Sequence, residues 1–345
     1  MLHPLSKDAL ASPSVSVLLP VYNAQETIRQ AVESLLRQTF LEFEIVAVDD
    51  GSTDGSAAIL DDLARDDPRI RVLHLPHAGL VPALNAGIAE CRADLIARMD
   101  ADDVCHPERL RLQVEFMREN PDVSVCGCLV RSFPRNDVKG GFLRYEAWLN
   151  SLLAHEEIAR DIFVESPLAH PSVMMRAPDL REIGGYRDLV WPEDYDLWLR
   201  FFMAGKRFGK VPRTLLFWRE HAQRLTFTDS RYALENFLRL KAHFLAQLPS
   251  RESRPLIVWG AGMTGRRLTK HLIREGVQPI AMVDIDPRKI GRIVRGAPVI
   301  RPEDLGGHPD TFVIAAVGSE GARDLIRAQL LGMGRVESRD FICAA

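Results

Sequence analysis

The sequence predicts an α/β protein, a doubly wound and mostly parallel sheet followed by a smaller α/β domain, and three observations carry that prediction. From Val15 to Met99 short apolar runs alternate with segments whose apolar residues recur at helical spacing. Those runs stop in polar or acidic clusters: Tyr22-Asn23, Asp49-Asp50 and Asp100-Ala-Asp102-Asp103. A linker-like stretch, Pro249 to Pro255, precedes a fresh strand–glycine–helix pattern from Leu256, and 345 residues suffice for about two domains.

Val15 to Pro20 reads as a strand that meets a turn at Tyr22-Asn23, and Thr27 to Gln38 as a helix through Ile28, Val32, Leu35 and Leu36. Phe43 to Val48 is the second strand; Asp49 to Asp54 is a turn, and a helix runs on through Leu63. Ile70 to Leu75, Val81 to Cys91 and Leu95 to Met99 continue as strand, helix and strand. Such alternation argues for parallel strands with crossover helices. A helix to about Glu119 and a strand near Val123 to Val130 follow, then a polar, irregular stretch from Arg131 to Tyr145 suited to an acceptor region. Asp229-Ser230 is placed to cap a helix whose Phe237, Leu240, Lys241, Phe244, Leu245 and Leu248 form one stripe that packs on a domain. The boundary falls near Arg251, giving domains 14–250, including the helical segment 229–248, and 251–345.

With 46% hydrophobic and 26% charged residues the composition is that of a globular protein, and a net charge of −3 offers nucleic acid no general attraction. Five cysteines without a CxxC pair support neither a disulfide framework nor structural zinc, and read as reduced thiols. Met1 to Pro13 lacks the apolar core of a signal peptide, and no later run is suited to crossing a bilayer. The expectation is a soluble, cytoplasmic protein; peripheral membrane contact and oligomeric state are left open.

The three polar clusters all follow strand carboxyl ends, so they belong to one edge of one sheet and can line one pocket. Carboxylates as close as Asp100, Asp102 and Asp103 repel, and a cation between them relieves this. Hard oxygen donors suit Mg2+ or Mn2+ carrying a phosphate. A solvated or helix-capping loop is the competing reading of the tetrapeptide.

Five segments in order, VSVLLPVYN, VAVDDGSTDGS, DADD, HPSVMMR with GGYR, and Glu193-Asp194 opening EDYDLWLR, resemble a family 2 glycosyltransferase, an inverting GT-A type enzyme. The resemblance covers about residues 14–225. It implies nucleoside binding by Pro20, Tyr22 and Asp50, the last accepting an imide hydrogen from uracil or thymine, so a UDP- or dTDP-sugar is the expected donor. Asn85 and Asp100 join that donor site; Asp102 and His221 become metal ligands, with Asp103 in support. Inversion requires one base to take the acceptor hydroxyl's proton, and Asp194, paired with Glu193, is assigned that role. Asp194 also stands where a helix N-cap is expected, just before Tyr195. Gly184-Gly185 reads as a loop that lets the donor sugar approach the backbone, or as a plain turn. His170 is an acceptor-side or donor-sugar contact without a catalytic task. Many relatives carry a basic residue where Leu84 precedes Asn85, which leaves the pyrophosphate's charge to Arg98 or Arg219, unless these form structural ion pairs.

In the C-terminal module Gly260, Gly262 and Gly265 open a helix, and Pro279 to Asp284 is a second strand whose acid stands about where a ribose-binding carboxylate would. Through Asp284-Ile-Asp-Pro-Arg-Lys-Ile-Gly291 and Gly296-Ala-Pro-Val, with Val313 to Ser319 as a later strand and turn, the segment resembles Rossmann-like, nucleotide-binding-like modules found beside polysaccharide-biosynthesis enzymes. A nucleotide or dinucleotide ligand and a degenerate scaffold both fit, whereas the module is too small for hydride chemistry on a separate substrate. The expected function is metal-dependent transfer of a sugar to a glycan or lipid-linked glycan in surface polysaccharide assembly. A noncatalytic nucleotide-sugar sensor and a nucleotidyltransferase on a related fold are the rivals, the latter disfavoured because no basic, glycine-rich triphosphate loop opens the chain.

Overall fold

A computed structural model describes residues 13–345; residues 1–12, most of the segment read as lacking a signal peptide, lie outside it. The chain forms two compact units. The first comprises the chain up to Ile158, Pro167–Asp188 and Glu193–Thr228, and the second Ala159–Ser166, Leu189–Pro192 and Asp229–Ala345.

In the first unit β1 (Val15–Val21), α1 (Ile28–Leu36), β2 (Phe43–Asp49), α2 (Ser56–Asp66), β3 (Ile70–His74), α3 (Leu80–Glu90) and β4 (Leu95–Arg98) alternate as expected. β1 and β2 are buried at every position, which is why they read as unbroken apolar runs. Next come β5 (Val104–Cys105), α4 (Arg109–Glu119), β6 (Val123–Phe133), α5 (Gly140–Ser151), β7 (Met174–Arg176), α6 (Ala177–Glu182), α7 (Glu193–Met203) and β8 (Arg207–Arg219). The sheet order is β3-β2-β1-β4-β7-β6-β8-β5. β1 to β4 are mutually parallel, whereas β7 runs against β4 and β6, and β5 against β8. The register pairs Val21 with Asp49 and Leu18 with Arg98, so Tyr22, Asp50 and Asp100 leave the sheet along one edge.

Arg131 to Tyr145 is less irregular than its polarity suggests. β6 continues to Phe133, and α5 packs Phe142, Tyr145 and Trp148, spaced three apart, against the core.

The second unit holds α8 (Leu234–Ala246), β9 (Leu256–Trp259), α9 (Met263–Arg274), β10 (Ala281–Val283), β11 (Ile293–Val294), β12 (Ala297–Ile300), β13 (Phe312–Ala315), α10 (Ala322–Gly332) and β14 (Phe341–Cys343). Its sheet, β11-β12-β10-β9-β13-β14, is parallel except at β11, and its order reverses between β9 and β13. The compact units divide at Asp229 rather than at Arg251, because α8 docks on α9: Glu235 accepts from Lys270 Nζ at 2.7 Å and stands 2.8 Å from His271 Nε2. Asp229 caps only the short turn ahead of α8, accepting from the Arg231 N–H at 2.8 Å.

Candidate active site

Beyond β1 the Tyr22-Asn23 turn is tied to the loop after β2. The Asn23 N–H donates to Ser52 Oγ at 3.0 Å and the Thr53 N–H donates to Asn23 Oδ1 at 2.8 Å. Buried Asp50 accepts from the Ala78 and Gly79 N–H groups at 2.8 and 2.9 Å and meets His77 Nδ1 at 2.8 Å. Gly51 takes φ +67°, and a Cβ there would lie 2.6 Å from the His77 nitrogen. The clamped loop brings His77 against half-exposed Tyr22, ring centroids 4.1 Å apart, and the pair forms an aromatic ledge. Pro20 stays within buried β1. Nothing in the sequence singled out His77, a lone loop histidine.

Beyond β4, Asp100, Asp102 and Asp103 bring one carboxylate oxygen each to within 4.8 Å of one another. Asp103 is buried; its Oδ1 accepts from the Arg219 N–H at 2.7 Å, while its Oδ2 has no hydrogen-bond partner. Burial and its two acidic neighbours push the Asp103 carboxyl well up. Burial also raises Asp100, against the opposing charge of buried Arg98, its ion-pair partner. For Asp102 burial is outweighed by His221, 2.7 Å away, which holds that carboxyl below its ordinary value and is itself raised by it. A buried, orphaned oxygen within a group of hard donors fits Mg2+ or Mn2+.

Arg219 is structural in its contacts. Its Nε donates to the Asp102 carbonyl at 2.5 Å and its Nη2 to Gln30 Oε1 at 2.6 Å, with the guanidinium over Phe133. Arg224, unforeseen from sequence, pairs with Glu220 at 2.7 Å, lies over Trp218, and its charge acts on all three acids. Leu84 is wholly buried.

The second acid pair sits in the first turn of α7, which begins at Glu193, so Asp194 lies inside the helix rather than at its N-cap. The Asp194 carboxylate accepts from the Tyr195 N–H at 2.7 Å, and burial, then Glu193, pushes its pKa up to about 8. His170 is buried beside them, its Nε2 2.6 Å from the Tyr186 hydroxyl and its Nδ1 3.8 Å from Glu193 Oε1. Burial, then the charge of Arg98, holds His170 neutral. Gly184 and Gly185 both take positive φ, +86° and +64°. Asn85 holds the loop they form: its Nδ2 donates to the Tyr186 carbonyl at 2.9 Å and its Oδ1 accepts from the Tyr186 N–H at 3.0 Å. Arg200 adds a bond to the Gly185 carbonyl at 2.7 Å.

In the second unit Gly260 takes φ +133° and lies too close to the Ala316 carbonyl for a side chain, Gly265 lies against the Gly260 carbonyl, and Gly262 faces open space. Asp284 is already engaged. Its Oδ2 accepts from the Ala261 N–H at 3.1 Å and Lys289 Nζ at 2.8 Å, and its Oδ1 from the Asp286 N–H at 2.9 Å. The five cysteines are free and buried. Among the described residues no helix is long and apolar enough to cross a membrane.

A curled, mostly parallel sheet with clustered acids beyond one strand and a second acid pair on a following helix defines a GT-A glycosyltransferase. The chain belongs to glycosyl transferase family 2, whose profile matches residues 16–184. Among its relatives, the amylovoran biosynthesis glycosyltransferase AmsE of Erwinia amylovora is 33% identical over 204 residues, 58% of this chain and 74% of that one. The UDP-Gal:alpha-D-GlcNAc-diphosphoundecaprenol beta-1,3-galactosyltransferase of Escherichia coli is 28% identical over 208 residues, 59% of this chain and 74% of that one. The crystal structure of S. aureus TarS 1–349 in complex with UDP-GlcNAc shares the fold, with a TM-score of 0.56 at 20% identity over 76% of this chain and 72% of that one.

Proposed function

We propose that the first unit catalyses metal-dependent, inverting transfer of a sugar from a UDP- or dTDP-linked donor to a glycan or lipid-linked glycan, in cytoplasmic steps of surface polysaccharide assembly. The observation that carries this reading is the gathering of Asp100, Asp102 and Asp103 oxygens within 4.8 Å of one another beyond β4. The names of the AmsE and E. coli relatives, which specify amylovoran biosynthesis and a diphosphoundecaprenol acceptor, support the substrate class.

Asp102, with Asp100, Asp103 and His221, would hold Mg2+ or Mn2+, and the ion would supply positive charge against a donor's diphosphate. The Tyr22–His77 ledge receives the base, and Asp50, with three internal donors, keeps one lone pair on Oδ1 for its imide hydrogen. Asn85 acts through the Gly184–Tyr186 loop rather than on the nucleotide, and shapes the sugar pocket. Arg98, Arg219 and Arg224 all have partners within the fold, and Arg224, whose charge acts on all three acids, is the cation assigned here to the diphosphate. Asp194 takes the acceptor hydroxyl's proton as that oxygen attacks the anomeric carbon, and the electrons of the breaking bond leave with the nucleoside diphosphate. Burial, and then the charge of Glu193, which is flanked by His170, keeps Asp194 a strong enough base.

For the second unit, the reversal of strand order beside the Gly260–Gly265 turn supports a Rossmann-like nucleotide-binding module. The test of the main reading is release of nucleoside diphosphate from a panel of UDP- and dTDP-sugars with Mn2+ or Mg2+, lost in EDTA. Saturable donor binding without release would instead describe a sensor, and pyrophosphate release from a nucleoside triphosphate and a sugar phosphate a nucleotidyltransferase.

A further inference from the structure

We infer that the second unit carries a phosphate-binding groove between the first turn of α9 and the tip of the β11–β12 hairpin. The groove, about 470 Å³, is lined by Met263, Arg266, Arg267, Ile293, Val294 and Arg295. Three of the lining residues are arginines and none is a carboxylate. Arg267 reaches Glu235 only at 3.4 Å, an acid already engaged with Lys270 and His271. Among the described residues neither Arg266 nor Arg295 has an acidic partner within 4.0 Å, whereas the nearby Arg288 and Lys289 are paired with Asp286 and Asp284. Like charges that line one groove, two of them without an acidic partner, repel, and a bound anion relieves them.

The hairpin tip gives an independent reason. Val294 pairs with Ala297, and the two residues between them, Arg295 and Gly296, take φ +53° and +80°. That two-residue turn favours Asn-Gly, so an arginine at its first position is strained. Gln278 Nε2 pins the tip by donating to the Arg295 carbonyl at 3.0 Å. A cation thus stands where the backbone prefers another residue, and it lines the groove.

The walls set the ligand class. Met263 and Ile293 are each 67% exposed, an apolar surface for a flat or aliphatic group. Arginine forks match phosphate oxygens two at a time. The lining offers guanidinium charge and no carboxylate, so phosphate oxygens rather than a ribose diol are what this groove suits. The ligand is a phosphate ester, best a diphosphate, joined to a flat or apolar group. A free nucleoside diphosphate and a lipid headgroup share that chemistry.

The test uses the full-length protein and an Arg266→Gln/Arg295→Asn double variant. Asn suits the turn and Gln the helix, so both changes remove charge without breaking the fold. Calorimetry in EDTA with inorganic pyrophosphate and with UDP probes the soluble source, and sedimentation with phosphatidylglycerol vesicles the lipid one. At least a roughly tenfold loss of affinity for either probe class, with unfolding temperature and donor-hydrolysis rate unchanged, upholds the groove and identifies its ligand's source. Equal affinities of the two proteins for every probe overturn it, whatever the catalytic assays show.

Discussion

His221 Nε2 stands 2.7 Å from Asp102 Oδ2 although 119 positions separate them in sequence. The contact follows from a strand pairing: β5, just after the acidic tetrapeptide, runs against the end of β8 through Val104–Phe217 and Cys105–Leu216. Residues after β8 are thereby returned to the acids. Asp102→Ala is expected to abolish Mn2+-dependent donor binding in calorimetry while the melting transition is kept. His221→Ala should weaken Mn2+ binding by roughly ten- to a hundredfold. Unchanged affinity in the Asp102 variant would contradict the proposed metal site.

Asn85 satisfies both backbone groups of buried Tyr186, so Asn85→Ala leaves an N–H and a C=O without partners. A loss of about 1–3 kcal/mol in stability is expected, with transfer slowed further because the glycine loop loses its anchor. Gly185→Ala should act through the same loop, since φ is +64° and the new Cβ would lie 2.8 Å from Asn85 Oδ1. Denaturant titration beside transfer rates checks both. Two variants with native stability and native rates would show that the loop's anchoring is idle.

Much of the first unit was legible because buried parallel strands write themselves as unbroken apolar runs, as in Val15–Val21 and Phe43–Asp49. The acids after β4 were legible for a related reason: charge at the end of such a run needs a purpose. His77 and Arg224 were not, since each acquires its place through a partner distant in sequence or a neighbouring ring, Asp50 and Tyr22 for one and Trp218 for the other. Asn85 drew attention, but only the structure shows it bound to Tyr186, 101 positions away. α5 was hidden because Arg144, Glu146 and Asn150 mask the spacing of Phe142, Tyr145 and Trp148. The grooved face of the second unit escaped notice because its arginines are scattered between α9 and a hairpin tip.

Burial and Glu193 raise the Asp194 carboxyl to about 8, and a proton acceptor works only when ionised. The transfer rate should therefore climb with pH through about 8 instead of levelling above 5. The sign for stability is opposite. The native state holds a proton that the unfolded chain releases near the ordinary value of 3.8, so this contribution is complete below about pH 4 and is lost as pH rises through 8. The melting temperature of Asp194→Asn relative to the parent should accordingly increase with pH between those limits. A difference that stays flat would contradict the raised carboxyl.

Asp194→Asn also bears most directly on the central claim, that this carboxylate takes the acceptor's proton. Asn keeps the size of the side chain and an oxygen able to accept the Tyr195 N–H, so the turn of α7 should persist while the base is lost. With the transfer rate, donor affinity and melting temperature measured on one preparation, the account predicts a rate lower by roughly 10²- to 10⁴-fold and a donor affinity little changed. Transfer at close to the parent rate by a folded Asn enzyme would contradict it.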